Sequence, residues 1–184
     1  MTMPSATIRL QTPDDQQALL YLNECAFGPG RFARTAYRVR ERAARDPLLN
    51  FCMELDGEIV GALDLTPISV GGVPGALLLG PLIVSGDHQS NGLGLRLMLY
   101  GLKQAKDLGY RLVILVGDLP YYVRAGFRPI PLGRLELPGP VDPARLLYAE
   151  LVPGALEEYS GLIRGMRELS DLGQSAPALA EDAA

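Results

Sequence analysis

Apolar and polar residues change their spacing several times along the chain, and each change marks an element. Thr7 to Leu10 reads as a strand. Thr12-Pro13-Asp14-Asp15 then opens a helix: Thr12 can cap it, Pro13 suits the first helical position, and both carboxylates favour the positive end of the dipole. Ala18, Leu19 and Leu22 recur at helical spacing up to Phe27, and Gly28-Pro29-Gly30 stops the run. A second helix, rich in arginine and alanine, is predicted over 31–45 and closed by Asp46-Pro47. From Asn50 the period becomes two. Strands over 50–55 and 58–70 flank Asp56-Gly57, a dipeptide suited to a two-residue hairpin turn. Pro67 cannot donate to a ladder, so the far end of the second strand is expected to be an edge, a bulge or a bend.

After a turn over 71–74, the almost wholly apolar run 75–84 reads as a central strand covered on both faces. The longest helix is predicted over 92–108, with Leu93, Leu97, Gly101 and Ala105 on one stripe, widened by Leu95, Leu99 and Leu102. Residues 111–116 form a second buried strand. A strand, a helix and a strand of these lengths make the two strands parallel. A short helix over 120–125, stopped by Gly126, and strands over 132–136 and 146–151 complete the pattern; the last is taken as an edge that could pair in a homodimer. There is no internal repeat.

Composition narrows the class. A chain of 184 residues suits one domain, placed over 1–169, and the Ser, Pro, Ala and acidic residues of 170–184 read as a disordered tail. With 48% hydrophobic and 21% charged residues the chain is of globular type, and no apolar run nears the ~20 residues of a membrane span. Met1 to Ser5 lacks the basic and apolar regions of a secretory signal, so the expected location is cytoplasmic. Cys25 and Cys52 are too far apart for a metal-ligand pattern and read as small core residues. A net charge of −4 offers nucleic acid no bulk attraction, and Glu41 and Asp46 interleave with the arginines of 31–45 as on a solvated helix face.

The chemistry concentrates in Leu79 to Leu97. A buried strand ends at Val84, a polar glycine-punctuated loop follows, and a helix starts near Gly92. The first N–H groups of a helix lack internal partners and carry partial positive charge, which makes this an anion site. Gly92 and Gly94, without β-carbons, let phosphate oxygens come close to the main chain. No Gly-Lys-Ser or Gly-Lys-Thr occurs, which excludes a Walker loop, and Leu97 stands where a dinucleotide fingerprint needs its third glycine.

Gln89-Ser90-Asn91-Gly92-Leu93-Gly94 resembles the Q/R-x-x-G-x-G/A motif with which the GNAT N-acetyltransferase superfamily holds the pyrophosphate of acetyl-CoA. A second block, Gly117-Asp118-Leu119-Pro120-Tyr121-Tyr122-Val123-Arg124-Ala125-Gly126-Phe127, is similar to the family's later Y-x-[KR]-x-G-F motif. One helix and one strand fit between the two. The resemblance covers Thr7 to Val152 and points to the branch of predicted acetyltransferases with the G-D-x-x-Y-Y-x-R-x-G-F block.

The resemblance implies an α+β fold: a central mixed, largely antiparallel sheet with helices on both faces and a splayed parallel strand pair at the CoA site. It implies acetyl-CoA as co-substrate, no metal, and a small-molecule or peptide amine as acceptor. Main-chain groups of Leu82, Ile83 and Val84 would hold pantetheine, and N–H groups of Gln89, Ser90, Asn91, Gly92, Leu93, Gly94 and Leu95 would wrap the pyrophosphate. An N–H near Val84 would polarise the thioester carbonyl. Tyr122 matches the family's proton donor to the departing thiolate, with Tyr121 expected to face the core instead. Arg124 could serve a CoA phosphate or solvent. No base stands out: His88 lies in the phosphate loop, and Asp118, Glu54 and Asp64 are the candidate carboxylates. The chain departs from the family pattern at Gly86, Ser90, Asn91 and Leu95; a lost hydroxyl at the last would weaken CoA binding by roughly 1 kcal/mol. The alternative is a GNAT-fold module that senses acyl-CoA or binds a protein without turnover.

Overall fold

The alternating stretch after Asn50 folds as the hairpin of β2 (Asn50–Leu55) and β3 (Glu58–Val70), with Asp56 and Gly57 at φ 52° and 83° in the turn. Two central residues at positive φ give the turn whose twist matches that of the strands. The computed structural model describes residues 6–28, 35–89 and 91–167. Around the hairpin the chain runs β1 (Thr7–Leu10), α1 (Gln16–Phe27), α2 (Thr35–Glu41), β2, β3, β4 (Val73–Val84), α3 (Leu93–Asp107), β5 (Leu112–Val116), α4 (Leu119–Tyr122), β6 (Arg128–Pro129), β7 (Leu135–Glu136), β8 (Leu146–Glu150) and β9 (Gly161–Gly165).

The described strands form one mixed sheet in the order β1-β2-β3-β4-β5-β8-β6, with β9 paired to both β3 and β7. β4 and β5 run parallel, as do the short β7 and β9, and every other pair is antiparallel. Pro67 finds its place simply. Pro67 stands opposite Leu77 of β4, but on its other side β2 covers β3 only as far as Asp64 and β9 takes over at Ile68, so a gap on that side accommodates a residue without an N–H.

Each face of the sheet carries its own apolar cluster, because alternate side chains of a strand point opposite ways. Leu97, Met98 and Leu102 of α3 pack on Phe51, Leu63 and Leu77. On the other face Val39 of α2 meets Ile68, Leu78 and Ile114, together with Tyr159 and Ile163 from the C-terminal part. Phe51 and Tyr100 meet edge to face with centroids 5.3 Å apart.

Several elements differ from the sequence pattern. α2 stops at Glu41, four residues short of the predicted end, because Arg42 and Ala43 turn back onto the carbonyls of Val39 and Arg40. Asp46 then caps a 3-10 turn over Pro47–Leu49 through the Leu48 N–H at 2.9 Å. Val73 and Pro74, expected in a turn, belong to β4. β8, expected at an edge, lies between β5 and β6, which already pairs with Leu147 and Tyr148 and leaves less of the strand open to another chain. β9 was not foreseen. Its five residues begin and end in glycine, too short a stretch for a period to show. The start of the second helix, 31–34, and the tail, 170–184, lie outside the described residues. No helix among the described residues is long and apolar enough to cross a membrane.

Candidate active site

The site begins where β4 and β5 part. Their register holds for three pairs, Ala76 to Leu112, Leu77 to Val113 and Leu78 to Ile114, and then ends. β5 continues along β8 to Val116, while β4 continues along β3 to Val84. Between Leu63–Leu82 and Leu65–Leu79 the ladder slips: Gly80 and Pro81 stand opposite the single residue Asp64. A bulge of this kind bends its strand away from a neighbour. From Leu79 onward the β5-facing edge of β4, including Leu82, Ile83 and Val84, therefore has no strand partner among the described residues. Peptide groups on such an edge can pair with an extended ligand as with an added strand.

The loop beyond β4 is fastened by one main-chain bond to β3 and two contacts of its own side chains. Ser85 donates its N–H to the Val60 carbonyl at 2.8 Å, His88 Nδ1 lies 2.8 Å from Ser85 Oγ, and Gln89 Nε2 donates to the Val84 carbonyl at 3.2 Å. α3 follows, its entry made by Gly92 at φ 74°. The ladder begins with the Arg96 N–H on the Gly92 carbonyl at 3.0 Å. Among the described residues no carbonyl accepts from the N–H groups of Asn91, Gly92, Leu93, Gly94 or Leu95; Ser90 lies outside them. Gly92, Leu93, Gly94 and Leu95 line a groove of about 560 Å³ together with Leu82, Val84, Gln89, Tyr121 and Arg124, among others. A strand edge and a helix start carrying bare N–H groups fit an elongated ligand with amides at one end and a diphosphate at the other.

The two sequence blocks meet across this groove. Asp118 precedes α4, and Pro120 sits in its first turn. Tyr121, expected in the core, is instead 38% exposed. Its hydroxyl lies over Gly94, so close that a β-carbon there would stand 2.3 Å from the oxygen. Tyr122 turns inward. Its ring packs on Gly117, where a β-carbon would stand 2.2 Å from Cε2, and meets Tyr121 and Phe127 edge to face at 5.0 and 5.8 Å. Burial, with help from Tyr121 and Asp118, pushes the Tyr122 phenol up to about 12, while Arg145 and Arg40 pull against the rise. Tyr122 is thus a neutral donor at any ordinary pH.

Tyr122 and Leu82 also line a second cavity, of about 920 Å³, on the side of α1 and α2. Leu20 and Phe27 of α1, Arg40 of α2, Asp64 of β3, Gly80 of β4 and Arg145 form part of its wall. Arg40 reaches over Gly80, with Nη2 2.7 Å from where a β-carbon would sit. Among the carboxylates considered from sequence, Glu54 is bound by Arg9 and lines neither cavity. His88 lines only the groove. Asp118 is exposed and paired with Arg145 at 3.1 Å, whereas Asp64 is half-buried and burial raises its carboxyl. No group of three or more potential metal ligands occurs among the described residues.

Residues 17–127 match the model of the acetyltransferase (GNAT) family. The Escherichia coli K12 protein YjhQ, described as an uncharacterized N-acetyltransferase, is 27% identical over 132 residues, 70% of this chain and 73% of its own. A GNAT-family N-acetyltransferase of E. coli, YhbS, solved with CoA, superposes with a TM-score of 0.79 at 24% identity, covering 92% of this chain and 94% of that one. A GNAT-family acetyltransferase of Brucella melitensis, solved with acetyl-CoA, gives 0.62 at 26% identity over 82% and 91%.

Proposed function

The chain belongs to the acetyltransferase (GNAT) family, and from that premise we propose that it moves an acetyl group from acetyl-CoA to a primary amine by direct attack, with Tyr122 as general acid. The observation that carries this reading is the junction of the two cavities. A strand edge and a set of helix N–H groups without partners among the described residues lead into a groove, and that groove meets a separate cavity at Leu82 and Tyr122.

Acetyl-CoA supplies the activated thioester. The free edge of β4 at Leu82, Ile83 and Val84 holds the pantetheine amides, and an N–H near Val84 polarises the thioester carbonyl. Asn91, Gly92, Leu93, Gly94 and Leu95 present their N–H groups to the pyrophosphate, helped by the dipole of α3, whereas Gln89, expected to join them, already gives its N–H to the Gly86 carbonyl at 3.3 Å. Tyr122, kept protonated by burial, hands its proton to the sulfur as the carbon–sulfur bond breaks. A phenol so reluctant to ionise can lend a proton only if another returns at once, and the attacking nitrogen has one to give.

The test has two stages. Saturating CoA should raise the melting temperature, since a ligand at 100 times its Kd adds about 2.7 kcal/mol to the native state. Free thiol released from acetyl-CoA should then rise with at least one amine of a broad acceptor panel. No melting shift refutes the reading; a shift without transfer to any amine replaces the enzyme with a non-catalytic acyl-CoA sensor.

A further inference from the structure

We infer that Asp64 is the carboxylate that receives the acceptor's ammonium group and takes its proton before attack, an assignment that rests on the transferase reading above. Asp64 stands on β3 directly opposite the Gly80–Pro81 bulge, at the place where β4 leaves β5. Its side chain lines the larger cavity together with Tyr122 and Leu82, so acid and base would face each other across the cavity that admits the amine.

Among the described residues the carboxylate is held on one side only. Gln11 Nε2 donates to Oδ1 at 2.8 Å while also donating to the Phe51 carbonyl at 2.9 Å, which pins the amide and hence the carboxylate. Arg45 approaches the same Oδ1 at 3.9 Å from the rim. No described group is bonded to Oδ2, the oxygen left for an ammonium. The other carboxylates of the cavity wall serve elsewhere or face solvent. Asp118 pairs with Arg145, Asp142 caps the Ala144 N–H at 2.9 Å, and Glu41 lies exposed at the end of α2. Burial raises the Asp64 carboxyl, and Arg45, Gln11 and Arg40 moderate the rise, an environment that suits proton acceptance better than a permanent ion pair does.

The protons balance. Asp64 takes one proton from the ammonium; the freed lone pair forms the carbon–nitrogen bond; the carbon–sulfur bond breaks with the Tyr122 proton going to sulfur; the second nitrogen proton restores the Tyr122 phenol; and Asp64 releases its proton to water. The products are an N-acetyl amide, a free thiol and one proton.

The test compares Asp64→Asn with the wild type, using ethanolamine, tyramine, spermidine and a lysine-containing tripeptide as probes. Thiol release is followed from pH 5.5 to 9.5. For the best probe, Asp64→Asn should lower kcat at least tenfold, leave KM for acetyl-CoA within twofold, and replace the wild-type ascending limb by a rate that climbs with ionisation of the amine itself. Gln11→Ala, which frees the carboxylate without removing it, should lower kcat less and keep the limb. A readout without substrate accompanies this. A raised carboxyl keeps its proton in the folded state after the unfolded chain has lost it, so wild-type stability falls as pH rises from the ordinary carboxylate value through the folded one, and Asp64→Asn lacks that fall. Unchanged kcat and pH profile in Asp64→Asn, with transfer intact in the wild type, overturn the assignment alone. A wild type that transfers to none of the probes overturns it along with the transferase reading.

Discussion

Gly94→Ala separates the fold from the site within one methyl group. Its β-carbon would stand 2.3 Å from the Tyr121 hydroxyl and 3.5 Å from Val84 Cγ2, both in the wall of the groove. The second contact is ordinary, and the first is with the far end of a side chain that is 38% exposed and can swing aside. Alanine also gains about 1 kcal/mol over glycine in a helix. The two effects offset, so folding stability should stay within about 1 kcal/mol of wild type, a melting shift of only a few degrees for a chain this size. Binding should suffer far more. On the proposed reading the methyl group projects where phosphate oxygens approach the N–H groups of 93–95, and losing one charge-assisted hydrogen bond costs about 1.5–3 kcal/mol, or roughly ten- to 150-fold in Kd for CoA. Titration calorimetry with CoA and a thermal melt without it measure the two terms. Adding Tyr121→Phe should relieve the crowding and leave affinity low. Wild-type affinity in Gly94→Ala would refute the placement of the diphosphate, and a collapse of stability would refute the claim that Tyr121 gives way.

Three further outcomes follow from the same geometry. Tyr122→Phe keeps the ring on Gly117 and removes only the hydroxyl, so kcat should fall about 10²-fold or more with KM for acetyl-CoA nearly unchanged, as steady-state kinetics would show. Arg9 grips Asp15 with two hydrogen bonds of 2.7 and 2.9 Å and holds its carboxyl well below the usual range; that stability is present above the unfolded carboxylate value and is lost as pH falls through the folded one. Asp15→Asn should therefore cost about 1–3 kcal/mol at pH 7 and flatten the decline of urea-measured stability below pH 4. Tyr159, fully buried, donates its hydroxyl to the Pro74 carbonyl at 2.9 Å; Tyr159→Phe should lower stability by about 1–3 kcal/mol in urea titration without changing CoA affinity.

Much of the sheet is legible in the sequence, because strands half or fully covered by helices leave a plain apolar record. The β2–β3 hairpin, the parallel β4–β5 pair and α3 fall where the periodicity puts them. α2 did not: propensity would carry a helix of alanine and arginine through Arg45, but Ala43 is buried and Arg45 turns toward Gln11 and Asp64, contacts that a continuous helix does not serve. The strand end, loop and helix start that line the groove were legible because an apolar run, a polar loop and Gly92 mark where β4 stops and α3 begins. The second cavity was not, because its wall is collected from α1, α2, β3, β4 and the turn at Asp142–Arg145, segments far apart in sequence. Asp64 could be named from sequence only alongside Glu54 and Asp118, and it is the bulge opposite that sets it apart from them. The motif spacing separates Tyr122 from Tyr121 but says nothing of where Tyr121 points, since that depends on which way a four-residue helix rolls.

The partition at Leu82 and Tyr122 has a kinetic corollary. Among the described residues the two chambers share only Leu82 and Tyr122 in their walls. On the proposed reading both occupants must be present together for anything to happen, and the acylated product can depart while the spent thiol carrier still fills its own slot, leaving the carrier's exit to set the pace of the next cycle.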